Sequence, residues 1–519
     1  MFTDALLDDL PERISDIATR WAASAPDHPA LVEASGTWRY GDLPAIVAQT
    51  KQWLIASGVR AGDRVMIVAE NSRAAAAILF AAASLDAWSI IANARLSDRE
   101  IDQIRDHSRV RRIIYTVAVS ARARAHAERH GAAAADVPPL GKIALGPIDE
   151  RATPEPVEAD GAKQVAVVVY TTGTTGRPKG VMLTHRNLLY VAKVSGQLRQ
   201  LGQADRVYGL LPASHVLGLS VVLLGSLYHG ATLYLTPRYD PTALLGALER
   251  DGITFLLAAP GMYAMLAEYA KLKGVARIAN HSLRVIASAG APLDPATKSA
   301  AETLFGITLQ NGYGITEMAP TITQTRLDRP RLDCSVGPLW PGIEAKLLGR
   351  DGAPVASGKI GELHVRGPNL MKGYYRAPEE TAGAIDADGW FNTRDMACLD
   401  GDHLLIMGRS KELIIRYGFN VYPPEIETVL NAYPGVTQSA VIGRPADGTE
   451  EIIAFVQPAS DRAISEAELA DHAARQLAPY KRPTAIFVLP ALPTAANGKI
   501  LKSALGPIAD KLRGQRRAA

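Results

Sequence analysis

The chain has only two cysteines, Cys334 and Cys398, among 519 residues. Two thiols cannot build a disulfide framework, and these lack metal-ligand spacing, so buried free thiols in a reducing compartment are expected. An excess of one charge is missing as well. The 56 basic and 53 acidic residues leave a formal net charge of +3, which gives no field strong enough to recruit nucleic acid. Only Lys511 to Arg517 is locally basic, and it reads as a solvated end. Long hydrophobic runs are also absent. Ala74 to Ala83 and Val216 to Tyr228 are shorter than a membrane span and read as packed helices. The opening residues, MFTDALLDDLPERISD, carry acids where a secretory signal needs a positive segment and an apolar core. A cytoplasmic protein with no integral membrane association is therefore expected. No internal repeat occurs.

What is present is an apolar fraction of 47%, enough for a large core in more than one domain. Short β-branched runs alternate with helical stretches: Arg64 to Val68 then Ser72 to Leu85, Arg111 to Tyr115 then Ala118 to His130, Gly230 to Leu235 then Pro241 to Arg250. This order predicts an α/β protein with parallel strands. The segment from Gly131 to Ala162 lacks sustained periodicity and is expected to be a surface excursion. Near residue 408 the pattern changes. A strand at Leu404 to Met407 meets the polar joint Gly408-Arg409-Ser410-Lys411, then a Gly/Pro turn and about a hundred residues of new α/β pattern. The predicted units are residues 1–408 and a small α+β unit, 409–519.

The most informative run is Tyr170 to His185. A buried strand, Val165 to Tyr170, leads into threonines 171, 172, 174 and 175, glycines 173 and 176, Arg177 and then Lys179. Glycine lets backbone N–H groups turn toward an anion, while the hydroxyls and the lysine add donors, so the loop is suited to phosphate. It does not follow the GxxxxGK[ST] spacing, which excludes ordinary P-loop chemistry as its basis. A second glycine-lysine turn, Asn497-Gly498-Lys499, lies in the smaller unit. Two such turns in different units point to a cleft closed by domain motion.

These segments, in this order, resemble the adenylate-forming enzymes: acyl- and aryl-CoA synthetases, luciferases and peptide-synthetase adenylation domains. Thr171 to Gly180 matches the phosphate loop, and Asn311-Gly312-Tyr313-Gly314-Ile315-Thr316-Glu317 matches the YGxTE segment. Trp390 to Asp395 matches the ribose-binding segment, Gly408 to Glu427 the hinge and CoA tunnel, and Pro493 to Lys499 the catalytic-lysine loop. The resemblance implies a large multi-subdomain N-terminal domain, a small mobile C-terminal domain, and ATP, Mg2+ and CoA as co-reactants.

The implied chemistry is electrostatic. A carboxylic acid titrates near about 4, so it is already a nucleophile at neutral pH. Two anions must meet at the α-phosphate, and donors and cations are the required catalysts. By resemblance, residues Thr171, Thr172, Gly173, Thr174, Thr175, Gly176 and Lys179 hold the β- and γ-phosphates. Glu317 places Mg2+, Thr316 contacts the α-phosphate region, and Lys499 reaches the α-phosphate and the substrate carboxylate. Asn311, Gly312 and Tyr313, the Gly290-Ala291-Pro292 turn, Asp395 and Arg409 are assigned to the nucleoside. Tyr313 offers a face to adenine, and Asp395 can accept both ribose hydroxyls. His215, in the segment matching the family's HxxG, is a wall or gate of the acid pocket. His185 is expected to be structural.

For the second step, the resemblance implies rotation about Lys411, withdrawing Lys499 and bringing Tyr417 and Gly418 to line the CoA tunnel. Arg416 and Lys481 are candidate contacts for the CoA phosphates. One departure stands out: Arg394 occupies a position before Asp395 where the family usually has glycine. If that position has positive φ, arginine costs on the order of 1 kcal/mol. Accommodation is expected, with weakened nucleotide affinity as the alternative.

Apolar neighbours of His215, with Ala287-Ser288-Ala289 and Met318-Ala319-Pro320, favour an uncharged fatty or aromatic acid. Neither segment supplies an arginine for a dicarboxylate. No carrier domain follows the lysine loop, so CoA is the expected acceptor, with a separate carrier protein as the enzymatic rival. An inactive nucleotide-binding scaffold should have lost Thr172, Glu317, Asp395 or Lys499, and all are present. Monomer and homodimer are both left open.

Overall fold

A computed structural model of the chain describes residues 6–172, 178–446, 449–460, 462–495 and 498–518, the side chains of 172 and 516–518 excepted. The α/β alternation takes its expected form. The buried strand Arg64–Ala69 is followed by the helix Arg73–Ser84, whose N-cap Ser72 accepts a hydrogen bond from the Ala75 N–H. Thr232–Leu235 is likewise followed by the helix Pro241–Arg250, started by Asp240 and Pro241.

Two eight-stranded sheets dominate. The first runs, in spatial order, through Thr321–Gln324, Leu309–Gly314, Val285–Ser288, Phe255–Ala258, Arg206–Gly209, Thr232–Leu235, Pro29–Glu33 and Gly36–Arg39. Its six inner strands pair in parallel and both edge strands are antiparallel. The second sheet has four parallel strands, Val165–Thr172, Trp88–Asn93, Arg64–Ala69 and Arg112–Tyr115, with antiparallel strands on either side. The helix Arg73–Ser84 touches strands of both sheets, and Ala74 through Ala83 are all buried along it. Its run of alanines lets the layers approach closely. One continuous apolar core extends through both sheets as far as Leu404.

Two parts of the architecture differ from the expectation. The segment from Gly131 to Ala162 contains the hairpin Ala133–Val137 and Gly141–Leu145 at an edge of the second sheet. Its first strand, Ala-Ala-Ala-Asp-Val, opens on three alanines and so has little contrast for a period-two pattern to show. The second difference is an antiparallel sheet of Glu344–Leu348, Gly361–Arg366, Phe391–Asp400 and His403–Arg409. Gly361–Arg366 alternates buried and partly exposed residues, while Glu344–Leu348 and His403–Arg409 are largely half-exposed, with few helices between the strands.

Beyond Arg409 a short turn, Ser410–Glu412, leads to the hairpin Ile414–Arg416 and Phe419–Val421. A sheet of Val436–Ala446, Thr449–Pro458 and Ala485–Val488 follows, covered by the helices Pro423–Asn431 and Glu466–Gln476. It has its own apolar clusters, beginning at Ile414. Among the described residues, no helix is long and apolar enough to cross a membrane.

Candidate active site

Candidate residues gather where neighbouring parallel strands of the first sheet end, the usual place for a ligand in an open α/β sheet. His215 follows Arg206–Gly209, the turn Gly290-Ala291-Pro292 follows Val285–Ser288, and Thr316 and Glu317 follow Leu309–Gly314. Asp395 and Arg409 come from the antiparallel sheet, and Lys499 from the small unit.

The end of Leu309–Gly314 is fixed by close backbone packing. A β-carbon at Gly314 would lie 2.0 Å from the Pro320 carbonyl oxygen, which leaves room only for glycine. The Ile315 N–H donates to that same oxygen (2.9 Å), and the turn carrying Thr316 and Glu317 begins there. Asn311 is occupied locally. Its amide donates to the Cys334 carbonyl (3.0 Å) and its Oδ1 accepts from the Gly312 N–H (3.0 Å), so it braces the strand end.

Asp395 is 4% exposed. It accepts from the Tyr313 hydroxyl (2.5 Å) and lies 3.4 Å from Arg409 Nε, its partner across the strand pair. Burial raises the carboxyl above its usual range despite the arginine. Burial, then the Asp395 charge, holds the Tyr313 hydroxyl protonated. Arg394 has φ +59°, the left-handed conformation suited to the glycine it replaces. The turn accommodates it. Its N–H donates to Asn392 Oδ1 (2.9 Å), its carbonyl accepts from Ser410 Oγ (3.1 Å), and the next N–H donates to Thr393 Oγ1 (3.0 Å).

Lys499 is enclosed in the same cleft. Burial, followed by the nearby Arg409 charge, brings its ammonium down to about 8, with Glu412 and Asp395 acting in the opposite direction. His215 falls to about 4, first through burial and then through the charge of Lys499, so its imidazole is neutral near pH 7. Its Nδ1 accepts from the Leu217 N–H (3.3 Å), leaving Nε2 to carry the proton. The turn holding it packs tightly: a β-carbon at Gly218 would lie 2.2 Å from the Pro212 carbonyl oxygen. After it comes an apolar, wholly buried helical stretch, Leu217–Leu224, with the wide π-type winding often found at functional sites.

The phosphate-loop hairpin pairs Val165–Thr172 with Pro178–Thr184. Gly173, Thr174, Thr175 and Gly176 lie outside the described residues, as do the Thr172 side chain and Asn497; Thr171 is half-buried. Lys179 forms an ion pair with Glu380, and its Nζ lies 5.2 Å from the Tyr374 ring centroid. The Tyr374 hydroxyl donates to Glu317 Oε1 (2.7 Å). Tyr374 thus joins the phosphate-loop lysine to the candidate metal-binding carboxylate. Sequence reasoning missed it because the link depends on Gly373–Tyr374 pairing beside Pro178–Thr184, far away in the chain.

Lys411 lies in the turn Ser410–Glu412, and burial lowers its ammonium. Glu412 and Glu427 flank Lys502 at 3.2 and 2.7 Å, three residues beyond Lys499. Tyr417 and Gly418 occupy an exposed hairpin turn, and Lys481 is paired with Glu425. Arg416 donates to the Arg482 carbonyl. His185 is buried, accepts from the Ile14 N–H (3.2 Å) and is held neutral by burial, as a structural group would be. Among the described residues, no group of three histidine, cysteine or acidic side chains is placed to hold a metal ion.

Residues 18–375 match the family of AMP-binding enzymes, and residues 425–499 match the AMP-binding enzyme C-terminal domain. A feruloyl-CoA synthase from Amycolatopsis sp is 35% identical over 488 residues, covering 93% of this chain and 96% of the relative. The 4-coumarate–CoA ligase 2 of Oryza sativa subsp. japonica is 32% identical over 521 residues, covering 93% and 90%. The structure of O-succinylbenzoate coenzyme A synthetase from Bacillus subtilis, in complex with ATP and magnesium ion, aligns with TM-score 0.78 at 27% identity, over 95% of this chain and 99% of that one. The chain belongs to the AMP-binding enzymes and is an ATP-dependent, AMP-forming acid:CoA ligase that works through an acyl-adenylate.

Proposed function

We propose that this ligase activates an uncharged aromatic carboxylic acid, with Lys499 supplying the charge for adenylate formation. The observation that supports the role of Lys499 is its position: Gly498, next to it, lies against Gly261 of the large domain, and the partly buried ammonium feels Asp395 and Arg409. An ammonium there offsets the repulsion between the acid's carboxylate and the α-phosphate, and stabilises charge as pyrophosphate departs. Asp395 receives the ribose, Arg409 steadies that carboxylate, and Tyr313 supports both while facing the base. Neutral His215 forms a wall of the acid pocket and takes no proton.

Glu317 and the phosphates of ATP are the expected ligands for Mg2+. A single carboxylate suits this ion, which commonly keeps several waters and shares substrate phosphates. Bound there, Mg2+ would neutralise phosphate charge. Lys179 adds a further cation once it leaves Glu380.

The acid pocket is assigned to Leu217, Ala287, Ser288, Ala289, Met318 and Ala319, none of them charged. That lining favours an apolar tail over a dicarboxylate, and likeness to ligases named for feruloyl and 4-coumarate substrates favours an aromatic ring over a fatty chain. CoA then enters after the small domain turns about Lys411, with Tyr417, Gly418, Arg416 and Lys481 redeployed toward it. The test is product analysis by mass spectrometry with ATP, Mg2+, CoA and a mixed panel of aromatic and aliphatic acids. Selective aryl-CoA formation with AMP release is expected. Preference for fatty acids overturns the aromatic assignment, and acyl-AMP that persists with CoA but transfers to a carrier protein overturns the acceptor.

Lys499→Ala should slow adenylate formation at least about a hundredfold, the scale of removing a transition-state charge donor. Thioester formation from preformed acyl-AMP should be spared. Single-turnover assays of the two half-reactions separate these outcomes, and equal losses in a folded variant would remove Lys499 from the first step.

A further inference from the structure

One helix of the large domain carries a contact that the reaction scheme does not use. Pro260–Leu272 presents Gly261 and Glu268 on the same face, since seven residues make about two helical turns. At Gly261 the small domain comes against the helix: a β-carbon there would lie 3.2 Å from the Gly498 carbonyl oxygen and 3.4 Å from Gln438 Oε1. Gly498 immediately precedes Lys499. At Glu268 the carboxylate receives three donors from the small domain. Ser460 gives its N–H and its hydroxyl to Oε1, both at 2.7 Å, and Thr437 gives its hydroxyl to Oε2 at 3.2 Å. Thr437 lies in the first strand and Ser460 two residues beyond the second, side by side at the open end of the hairpin formed by Val436–Ala446 and Thr449–Pro458.

We propose that Glu268 is a positioning residue that latches the small domain in the arrangement with Lys499 in the cleft. The inference rests on the two-step reading above, in which Lys499 serves the first step and must leave before the second. Hydrogen bonds to a carboxylate are stronger than neutral ones, and all three cross between domains. A rotation that withdraws Gly498, and Lys499 next to it, from the face of Gly261 also takes Ser460 and Thr437 away from Glu268. The latch therefore favours adenylate formation and opposes thioester formation.

The test is Glu268→Ala, measured in both half-reactions alongside wild type with an accepted acid. Acyl-AMP formation should fall about ten- to hundredfold, the range for losing a hydrogen-bonded charge, while attack of CoA on preformed acyl-AMP is retained or accelerated. Thr437→Val combined with Ser460→Ala removes the two hydroxyl donors, keeps the Ser460 N–H and leaves the large domain untouched, so it should show a smaller loss with the same split and add little to Glu268→Ala. A parallel loss in both half-reactions, an unchanged adenylation rate, or full additivity overturns the latch. Failure of wild type to make acyl-AMP from any acid would instead overturn the proposed function, so the two failures are distinguishable.

Discussion

At the scale of single residues, the cleft works by removing water around charges that stay close together. Lys499 shows the consequence most directly. Its ammonium is charged below about 8 and neutral above it, because burial and Arg409 oppose the proton. The kcat/KM for adenylate formation, which reports the free enzyme, should therefore fall as pH rises through about 8. His215, held near about 4, should leave no inflection at the ordinary imidazole value. Pyrophosphate release measured from pH 5 to 9.5 checks both. A rise through pH 6.5 that vanishes in His215→Ala would restore that residue as a base. Arg394 teaches a different lesson at this scale. The departure from an otherwise matching motif raised the question of a left-handed backbone there, and φ of +59° answers it. The side-chain and backbone contacts that settle the turn could not be read from neighbouring letters.

At the scale of elements, the phosphate-loop hairpin and the strand Gly373–Tyr374 form one unit, since Tyr374 aligns with Val181 and meets both Lys179 and Glu317. Removing the hydroxyl frees Glu317 from its donor while leaving the ring beneath Lys179. Tyr374→Phe should raise the KM for MgATP by about ten- to hundredfold, the scale of a hydrogen bond to a charged group. Steady-state kinetics at varied Mg2+ will show whether excess metal relieves the defect; an unchanged KM would assign the bond to folding alone. The parallel strands and their helices were legible because their apolar runs and caps are local, as with Ser72 and Arg73–Ser84. Of the antiparallel sheet from Glu344 to Arg409 only the strand at Leu404 to Met407 was legible, since half-exposed strands with polar faces give a weak pattern. The same divide separates site residues. Asp395 and Lys499 sit in recognisable segments, whereas Tyr374, Glu380 and Glu268 acquire their roles only through contacts across long stretches of chain.

At the scale of the whole molecule, the two domains have separate apolar cores and meet over a cleft whose lysine comes from one side. Lys411→Pro fixes φ near about −65°, a value compatible with the tight turn of Ser410–Glu412. The variant should form acyl-AMP within about threefold of wild type and transfer it to CoA at least tenfold more slowly, if domain motion limits that step. Rapid-quench measurement of the two steps decides it, and equal rates would move the pivot elsewhere. Arg409 and Asp395 are opposite one another on the same antiparallel rung, and Arg409 is also the last strand residue before the turn holding Lys411. Under the proposed function, loss of nucleotide from that rung would be felt at the joint without any relay through the protein, and a single pair of strands would serve as both the grip and the clutch.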